Sequence, residues 1–199
     1  MPPDSTADGR RVLACDLDGT VVSVNTFPHF VRFLLAQLVA QRRFGAATRL
    51  AGSLVLRKLA RLDHLTFKRV VDDIGQQADE ERVREWAGTV IERWVQPEVK
   101  RLIDTWDGER YLVTAAPETY ARFLAERLEF PHVHGSRWED GTYVENVGVA
   151  KLRRLAAVGL DRVDTAVTDD PVLDGPLLSI ADRAVTVVDG KLSVQTAVA

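Results

Sequence analysis

Residues 11–20 have the sequence RVLACDLDGT, in which a short apolar run leads directly into two carboxylates. Residues 12–14 are apolar and predict a buried strand. Asp16 and Asp18 follow, and Gly19-Thr20 are typical of a turn. Because an unpaired buried carboxylate costs free energy, two acids at the end of a core strand indicate a bound cation. Mg²⁺ prefers hard oxygen ligands of this kind, although DLDGT also fits a solvated turn that caps a helix.

The composition is that of an ordinary globular protein. The chain has 199 residues, of which 46% are hydrophobic and 28% charged, and its net charge is −3. This length suits one α/β domain with an insertion. Cys15 is the single cysteine, so an internal disulfide is excluded and a reducing compartment is favoured. We therefore expect a cytoplasmic protein.

No segment of the sequence resembles a membrane span or a secretion signal. Residues 1–9 are polar and predict a disordered tail rather than a signal peptide. No stretch reaches the roughly 18 consecutive apolar residues of a membrane span. The sequence gives no indication of the oligomeric state.

The segment after the first strand is helical, apolar and basic. Residues 26–62 have the apolar spacing of helices, interrupted by Gly45 and Gly52. Residues 19–62 contain seven Lys or Arg and no Asp or Glu. Such a surface is either a solvated helix face, or one that faces an anionic substrate or peripherally contacts an anionic membrane. Because this stretch is apolar and lacks base-stacking spacing, we expect no nucleic-acid partner.

The second half of the chain alternates between strand and helix patterns. Strands are predicted at 111–114, 132–134, 165–168 and 184–188, helices at 117–128, 150–158 and 173–181, and a hairpin at 138–145. This alternation predicts an α/β fold with a mostly parallel, Rossmann-like sheet covered by helices. The predicted α/β core comprises residues 10–20 and 96–199, and residues 21–95 form a helical insertion.

Three later positions carry chemistry that complements the two acids. Thr114 ends a strand and, with Ala115, precedes a helix, which is typical of an anion site but equally of a helix cap. Lys151 opens a helix, where most lysines are merely solvated. An acidic block follows another strand, and clustered acids repel one another unless a cation neutralises them. The acids of this block are Asp169, Asp170 and Asp174.

These motifs, in this order, resemble those of the haloacid dehalogenase-like (HAD) superfamily of hydrolases. DLDGT, the strand-terminal Thr114, Lys151 and the acidic block together span most of the chain. The segments TAAPE at 114–118 and DGPLL at 174–178 are similar to the phosphoserine-phosphatase-like branch, subfamily IB. The resemblance implies a HAD core with a helical cap inserted between the first and second motifs.

The resemblance also implies the chemistry of the acids. Asp16 would be the nucleophile that attacks phosphorus to form an aspartyl-phosphate. Asp18 would be the general acid and base, and its presence favours phosphate-ester chemistry over dehalogenation. Mg²⁺ would be held by Asp16, by the main-chain carbonyl of Asp18 and by Asp170. Asp169 is the alternative to Asp170, because related proteins have a spacing one residue longer.

The remaining motif residues would hold the phosphoryl group or support the site. The expected phosphate-binding residues are Thr114, Ala115 and Lys151. The expected supporting residues are Asp174, Asp169 and Thr20. Asn25 is a candidate for substrate specificity, because phosphoserine phosphatases have a glutamate there and an uncharged side chain cannot form a salt bridge to an ammonium group.

The sequence thus predicts a Mg²⁺-dependent phosphatase that hydrolyses a small phosphate monoester. Two enzymatic alternatives stay open, a phospholipid-headgroup phosphatase at the inner membrane surface and a phosphotransferase of the same superfamily. A third alternative is a non-catalytic protein that binds a phosphorylated ligand.

Overall fold

A computed structural model describes residues 11–195. The strands are β1 Val12–Cys15, β2 Glu109–Pro117, β3 His132–Glu139, β4 Thr142–Val144, β5 Val163–Thr168, β6 Ala181–Val188 and β7 Lys191–Gln195. The helices are α1 Thr26–Ala40, α2 Phe44–Lys58, α3 His64–Gly75, α4 Glu80–Trp94, α5 Pro97–Asp104, α6 Glu118–Arg127, α7 Val149–Ala156 and α8 Gly175–Ser179. The predicted tail at 1–9 lies outside the described residues.

The strands form one sheet in the order β4-β3-β2-β1-β5-β6-β7. β1 is parallel to both of its neighbours, β2 and β5, and only the two edge strands, β4 and β7, run antiparallel. The predicted mostly parallel α/β sheet is therefore confirmed. Because β1 lies between β2 and β5, the carboxyl ends of these three strands meet at one edge, where ligands bind in open α/β sheets.

β1 is buried on both faces of the sheet. Leu13 and Cys15 belong to one hydrophobic cluster, and Val12 and Ala14 to the cluster on the opposite face, as the two-residue period of a strand requires. Burial raises the pKa of the Cys15 thiol. A buried, protonated cysteine is an inert part of the core rather than a nucleophile.

The helical segment breaks at a different place from the one predicted. Gly45 and Gly52 lie within α2, and the chain instead turns between α1 and α2, where Arg42 has φ +57°. The Arg42 N–H donates to the Val39 carbonyl and the Arg43 N–H to the Leu38 carbonyl, which is a Schellman C-cap. The prediction was wrong because the left-handed position holds arginine rather than the usual glycine.

The inserted helices are not isolated from the sheet. Trp86 of α4 packs against Phe30 of α1 and Tyr120 of α6, with ring centroids 5.2 and 5.5 Å away. The chain enters the inserted helices near Val21 and leaves them near Gln96. These two segments lie side by side, as the hydrogen bond from the Gln96 N–H to the Val21 carbonyl shows. The division into core and cap at residues 20/21 and 95/96 stays a prediction. No helix within residues 11–195 is long and apolar enough to cross a bilayer.

His134 on β3 makes the stability of the fold sensitive to acid. Burial, together with the nearby Arg137 and Arg154 guanidinium groups, lowers the pKa of His134 from 6.5 to about 4. As pH falls between these values, the unfolded chain binds a proton that folded His134 does not, so the free energy of unfolding decreases. After allowance for partial exposure, we expect a loss of about 1–2 kcal/mol.

Chemical denaturation at several pH values tests this. His134→Phe should lose less stability than the wild type over this range, because phenylalanine does not titrate. Identical slopes for wild type and His134→Phe would contradict the assignment.

Candidate active site

Asp16 lies at the first position after β1, at the sheet edge where β1, β2 and β5 end. Its N–H donates to the Val167 carbonyl of β5 at 2.9 Å, which extends the strand pairing by one residue. The residue is 8% exposed. Its Oδ1 accepts a hydrogen bond from Lys151 Nζ at 2.8 Å.

Lys151 also contacts a second buried carboxylate. Lys151 is in the first turn of α7 and is 2% exposed. Its Nζ lies 2.7 and 2.8 Å from the two carboxylate oxygens of Asp174. Thr168, the last residue of β5, donates its hydroxyl proton to Asp174 at 2.8 Å. Lys151 therefore joins Asp16, 135 positions away in sequence, to Asp174, 23 positions away.

This cluster has one more carboxylate than it has cations. Burial raises the pKa of Asp16 to about 7, with Lys151 opposing and Asp174 adding to the shift. Burial alone would lower the pKa of Lys151, but the Asp16 and Asp174 carboxylates outweigh it and raise that pKa. The lysine is therefore charged, and the excess negative charge favours a bound cation.

Asp18 lies at the N-terminus of α1. Its Oδ1 accepts a hydrogen bond from the Thr26 N–H at 2.9 Å. Burial raises the pKa of Asp18, although the hydrogen bonds from Thr26 oppose the shift. Asn25 is the N-cap of the same helix and accepts from the Phe27 N–H at 3.0 Å. Partial desolvation at this position thus opposes ionisation of Asp18, whereas the hydrogen bonds from Thr26 support it.

Asp169 and Asp170 turn in different directions. The Asp169 carboxylate accepts a hydrogen bond from the Thr20 hydroxyl at 3.0 Å. The Asp169 N–H in turn donates to the Thr20 hydroxyl oxygen at 2.8 Å. At Gly19, where φ is +76°, a Cβ would lie only 2.0 Å from Asp169 Oδ2. Asp170 Oδ1 instead accepts the N–H groups of residues 172 and 173 in its own loop. The structure brings Asp169 against the DLDGT loop and turns Asp170 away from it.

Thr114 is a buried strand residue and not a helix cap. β2 continues to Pro117, which is the N-cap of α6 and has no side-chain capping hydrogen bond. Thr114 is 1% exposed, and its hydroxyl accepts the Ala116 N–H at 3.1 Å. The carbonyl of Ala115 accepts hydrogen bonds from Lys68 and Ser136. The cap interpretation of Thr114 is therefore wrong, and its role in phosphate binding stays a prediction.

A family-wide sequence comparison agrees with this arrangement. The sequence model of the haloacid dehalogenase-like hydrolase family matches residues 13–179. The chain belongs to this family. The match includes every site residue described above, from Asp16 to Asp174. Among curated proteins, none has a sequence that matches the chain.

Solved structures of three bacterial proteins are similar to this HAD hydrolase in fold. A protein of unknown function from Bordetella pertussis Tohama I has a TM-score of 0.65 and 18% identity, with 88% of each chain covered. A phosphoserine phosphohydrolase-like protein from Francisella tularensis has a TM-score of 0.51 and 12% identity, covering 90% of this chain and 88% of that one. A probable phosphoserine phosphatase from Vibrio cholerae has a TM-score of 0.54 and 16% identity, covering 88% of this chain and 56% of that one. At these identities the likeness shows a common fold.

The oxygen atoms at this edge of the HAD hydrolase suit Mg²⁺. The expected ligands Asp16 and Asp169 would contribute carboxylates, and no histidine or cysteine side chain hydrogen-bonds with them in residues 11–195. Hard oxygen donors without nitrogen or sulfur favour Mg²⁺ over zinc. The described residues contain no group of three or more His, Cys, Asp or Glu side chains that could hold a metal ion. A site of two carboxylates needs a further oxygen, and the main-chain carbonyl of Asp18 is the one that the family resemblance assigns.

A cavity of about 330 Å³ lies beside Asp18, and sequence reasoning missed the charged pair in its wall. Lys68 of α3 is 6% exposed, and its Nζ lies 2.6 Å from Glu145 Oε1, 77 residues away. His64 lines the same cavity one turn before Lys68. The spacing of His64, Lys68 and Asp72 at intervals of four places all three on one face of α3. The apolar Phe67 and Val71 lie beside this face of α3 and are buried. Polar residues next to a buried apolar face could therefore have indicated that Lys68 and Asp72 are buried as well.

Proposed function

We propose that this HAD hydrolase is a Mg²⁺-dependent phosphatase that hydrolyses a small phosphate monoester through an aspartyl-phosphate on Asp16. One observation carries the proposal. The Asp16 carboxylate is held by Lys151 at 2.8 Å at the end of β1, and the same lysine is held by Asp174. A buried, oriented carboxylate next to a buried cation is suited to attack an anionic phosphoryl group.

Lys151 would orient the nucleophile by holding only one of its two oxygens. The hydrogen bond is to Asp16 Oδ1, and within residues 11–195 no hydrogen bond to Oδ2 is present. Oδ2 is therefore available to form the bond to phosphorus as the bond from phosphorus to the leaving oxygen breaks. Lys151 would also offset the negative charge of the phosphoryl oxygens during transfer.

Asp18 would move the proton in both halves of the reaction. Its raised pKa favours the protonated carboxyl, which can give its proton to the leaving oxygen. The resulting carboxylate would then remove a proton from the water that hydrolyses the aspartyl-phosphate. The Thr26 N–H at 2.9 Å holds the carboxyl in one orientation throughout.

The Thr114 hydroxyl would donate a hydrogen bond to the transferred phosphoryl group. Its oxygen already accepts the Ala116 N–H at 3.1 Å, so the hydroxyl proton is left for another acceptor. The backbone at Ala115 would complete this side of the phosphate site. When bound, Mg²⁺ would neutralise charge as the carboxylate approaches the phosphate, held by Asp16, Asp169 and the Asp18 carbonyl.

The cavity beside Asp18 would receive the rest of the substrate. Its volume of about 330 Å³ suits a small molecule, and its wall includes Phe27 and Leu173 as apolar contacts. The Asn25 side-chain oxygen accepts a hydrogen bond from the Phe27 N–H. Because its amide is uncharged, Asn25 cannot form a salt bridge to a substrate ammonium group. This supports a phosphate monoester other than free phosphoserine.

Hydrolysis of an aryl phosphate with Mg²⁺, and its loss with EDTA, tests the proposed function. Asp169→Asn should raise the Mg²⁺ concentration for half-maximal rate at least about tenfold, because it removes a negatively charged ligand. Asp170→Asn is the matched control and should keep the wild-type Mg²⁺ dependence, because asparagine also accepts the N–H groups of residues 172 and 173.

Two outcomes would overturn parts of this assignment. No turnover of any phosphate monoester with Mg²⁺ would refute the phosphatase. A larger Mg²⁺ effect from Asp170→Asn than from Asp169→Asn would return the ligand role to Asp170. Added alcohols separate hydrolysis from phosphotransfer, because a transferase would yield a new phosphate ester instead of inorganic phosphate.

A further inference from the structure

The outward side of α2 is an exposed helix face without charged residues. At 3.6 residues per turn, five residues of α2 and its C-cap fall on this side, and all five are exposed. We call them the outer face of α2: Phe44, Thr48, Ala51, Val55 and Leu59. Phe44, Val55 and Leu59 are 61%, 55% and 60% exposed. The opposite side, with Leu50 and Ser53, is buried.

Cations surround this face. Lys58 lies at one edge of it on α2, and Arg42 and Arg61 lie in the turns before and after the helix. None of the three forms an ion pair with a residue in the range 11–195. Arg49, at the other edge, is paired with Asp73 of α3 at 3.1 Å. The surface is thus an apolar strip with a positively charged rim.

We propose that the outer face of α2 docks on an anionic lipid surface, a property independent of the proposed catalytic activity. A helix with phenylalanine and leucine on an exposed face and Lys or Arg at its margins is suited to lie in the headgroup region of a bilayer. The apolar side chains would enter the acyl boundary, and the rim cations would contact acidic headgroups.

The charges of the rim argue against a second copy of the chain as the occupant. In a two-fold contact the same patch meets itself, so Arg42, Lys58 and Arg61 would face the same cations of the other copy. Residues 19–62 contain no acidic residue that could pair with them. The first acid after this segment, Asp63, is engaged as the N-cap of α3.

The outer face of α2 and the cavity wall are close in sequence. The chain passes from Leu59 at the end of α2 to His64 of the cavity wall in five residues. Lipid docking and phosphatase activity remain separable, because the test below measures binding to vesicles and activity on a soluble aryl phosphate independently.

Co-sedimentation of the full-length protein with vesicles tests the proposal. At low salt, the protein should bind vesicles of equal phosphatidylcholine and phosphatidylglycerol, and it should bind pure phosphatidylcholine much more weakly. Val55→Glu should lower the bound fraction at least about tenfold, because it places a negative charge in the apolar strip. Val158→Glu is the matched control, since Val158 is 52% exposed on a different surface after α7. It should bind like the wild type.

Activity of both variants on a soluble aryl phosphate should equal that of the wild type. Lys58→Gln should lower vesicle binding about fivefold, and added salt should weaken binding of the wild type. Absence of wild-type binding, equal binding to both kinds of vesicle, or equal losses in Val55→Glu and Val158→Glu would each overturn the proposal. So would a dimer in analytical ultracentrifugation that Val55→Glu dissociates, because a second copy would then cover the face.

Discussion

Asp16→Asn is expected to lower turnover of an aryl phosphate by at least about 10⁴-fold while the protein stays folded. The amide has the shape of the carboxylate but cannot form the acyl phosphate. Its oxygen can still accept the hydrogen bond that Lys151 donates at 2.8 Å. Steady-state kinetics with Mg²⁺, together with circular dichroism of the variant, measure both parts of the prediction.

Asp16→Asn should also change how the free energy of unfolding depends on pH. Burial raises the pKa of Asp16 from 3.8 to about 7. Between these values the folded wild type holds a proton that the unfolded chain has released, so its stability falls as pH rises. Without Mg²⁺, Asp16→Asn should escape this loss and gain stability relative to the wild type as pH rises from about 4 to 7. Wild-type turnover in this variant would exclude Asp16 as the nucleophile.

Lys151→Met is expected to have the largest effect on stability. It removes the cation from between Asp16 and Asp174 and leaves two buried carboxylates without a positively charged partner. Loss of one side of a buried ion pair costs about 3–5 kcal/mol. We expect a loss of this size at neutral pH, measured by chemical denaturation, together with loss of phosphatase activity.

Two further variants distinguish charge from packing at Lys151. Lys100→Met breaks a partly exposed ion pair with Asp104 and should cost less than about 1 kcal/mol. Adding Asp174→Asn to Lys151→Met should recover part of the lost stability, because one unpaired charge disappears. No recovery in the double variant would show that Lys151 contributes through its packing and not through its charge.

The strand and the first motif were predictable because their signal is local. The apolar run before Asp16 is continuous, and a strand buried on both faces has this pattern. The hairpin that joins β3 to β4 was also predicted correctly, with Asp140-Gly141 at its turn and Arg137 paired with Val144. Each of these features depends on residues within about ten positions of one another.

The break between α1 and α2 was not predictable from glycine positions. Arg42 adopts the left-handed conformation at the end of α1, and Ala60 does so at the end of α2. Gly45 and Gly52 remain helical because α2 packs through Ala47 and Leu50. Tertiary packing therefore outweighed a local preference of about 1 kcal/mol for each glycine.

The charged pair in the wall of the cavity beside Asp18 was missed because its two residues are distant in sequence. Lys68 and Glu145 come from α3 and from the loop after β4, 77 residues apart. Each is unremarkable in its own segment, where a lysine or glutamate is usually solvated. Tertiary structure buries Lys68 and brings its Nζ to the Ala115 carbonyl of β2.

The sequence by itself determined the mostly parallel sheet and the order of the motifs, because apolar periodicity and strand ends depend on local residue types. Only the tertiary structure shows that Asp169 and Asp170 have different surroundings. Neighbouring side chains beyond a strand turn in different directions, and both residues have the same chemistry. Asp169 faces the DLDGT loop because Gly19 leaves room for its carboxylate and Thr20 bonds to it, a contact between residues 149 positions apart.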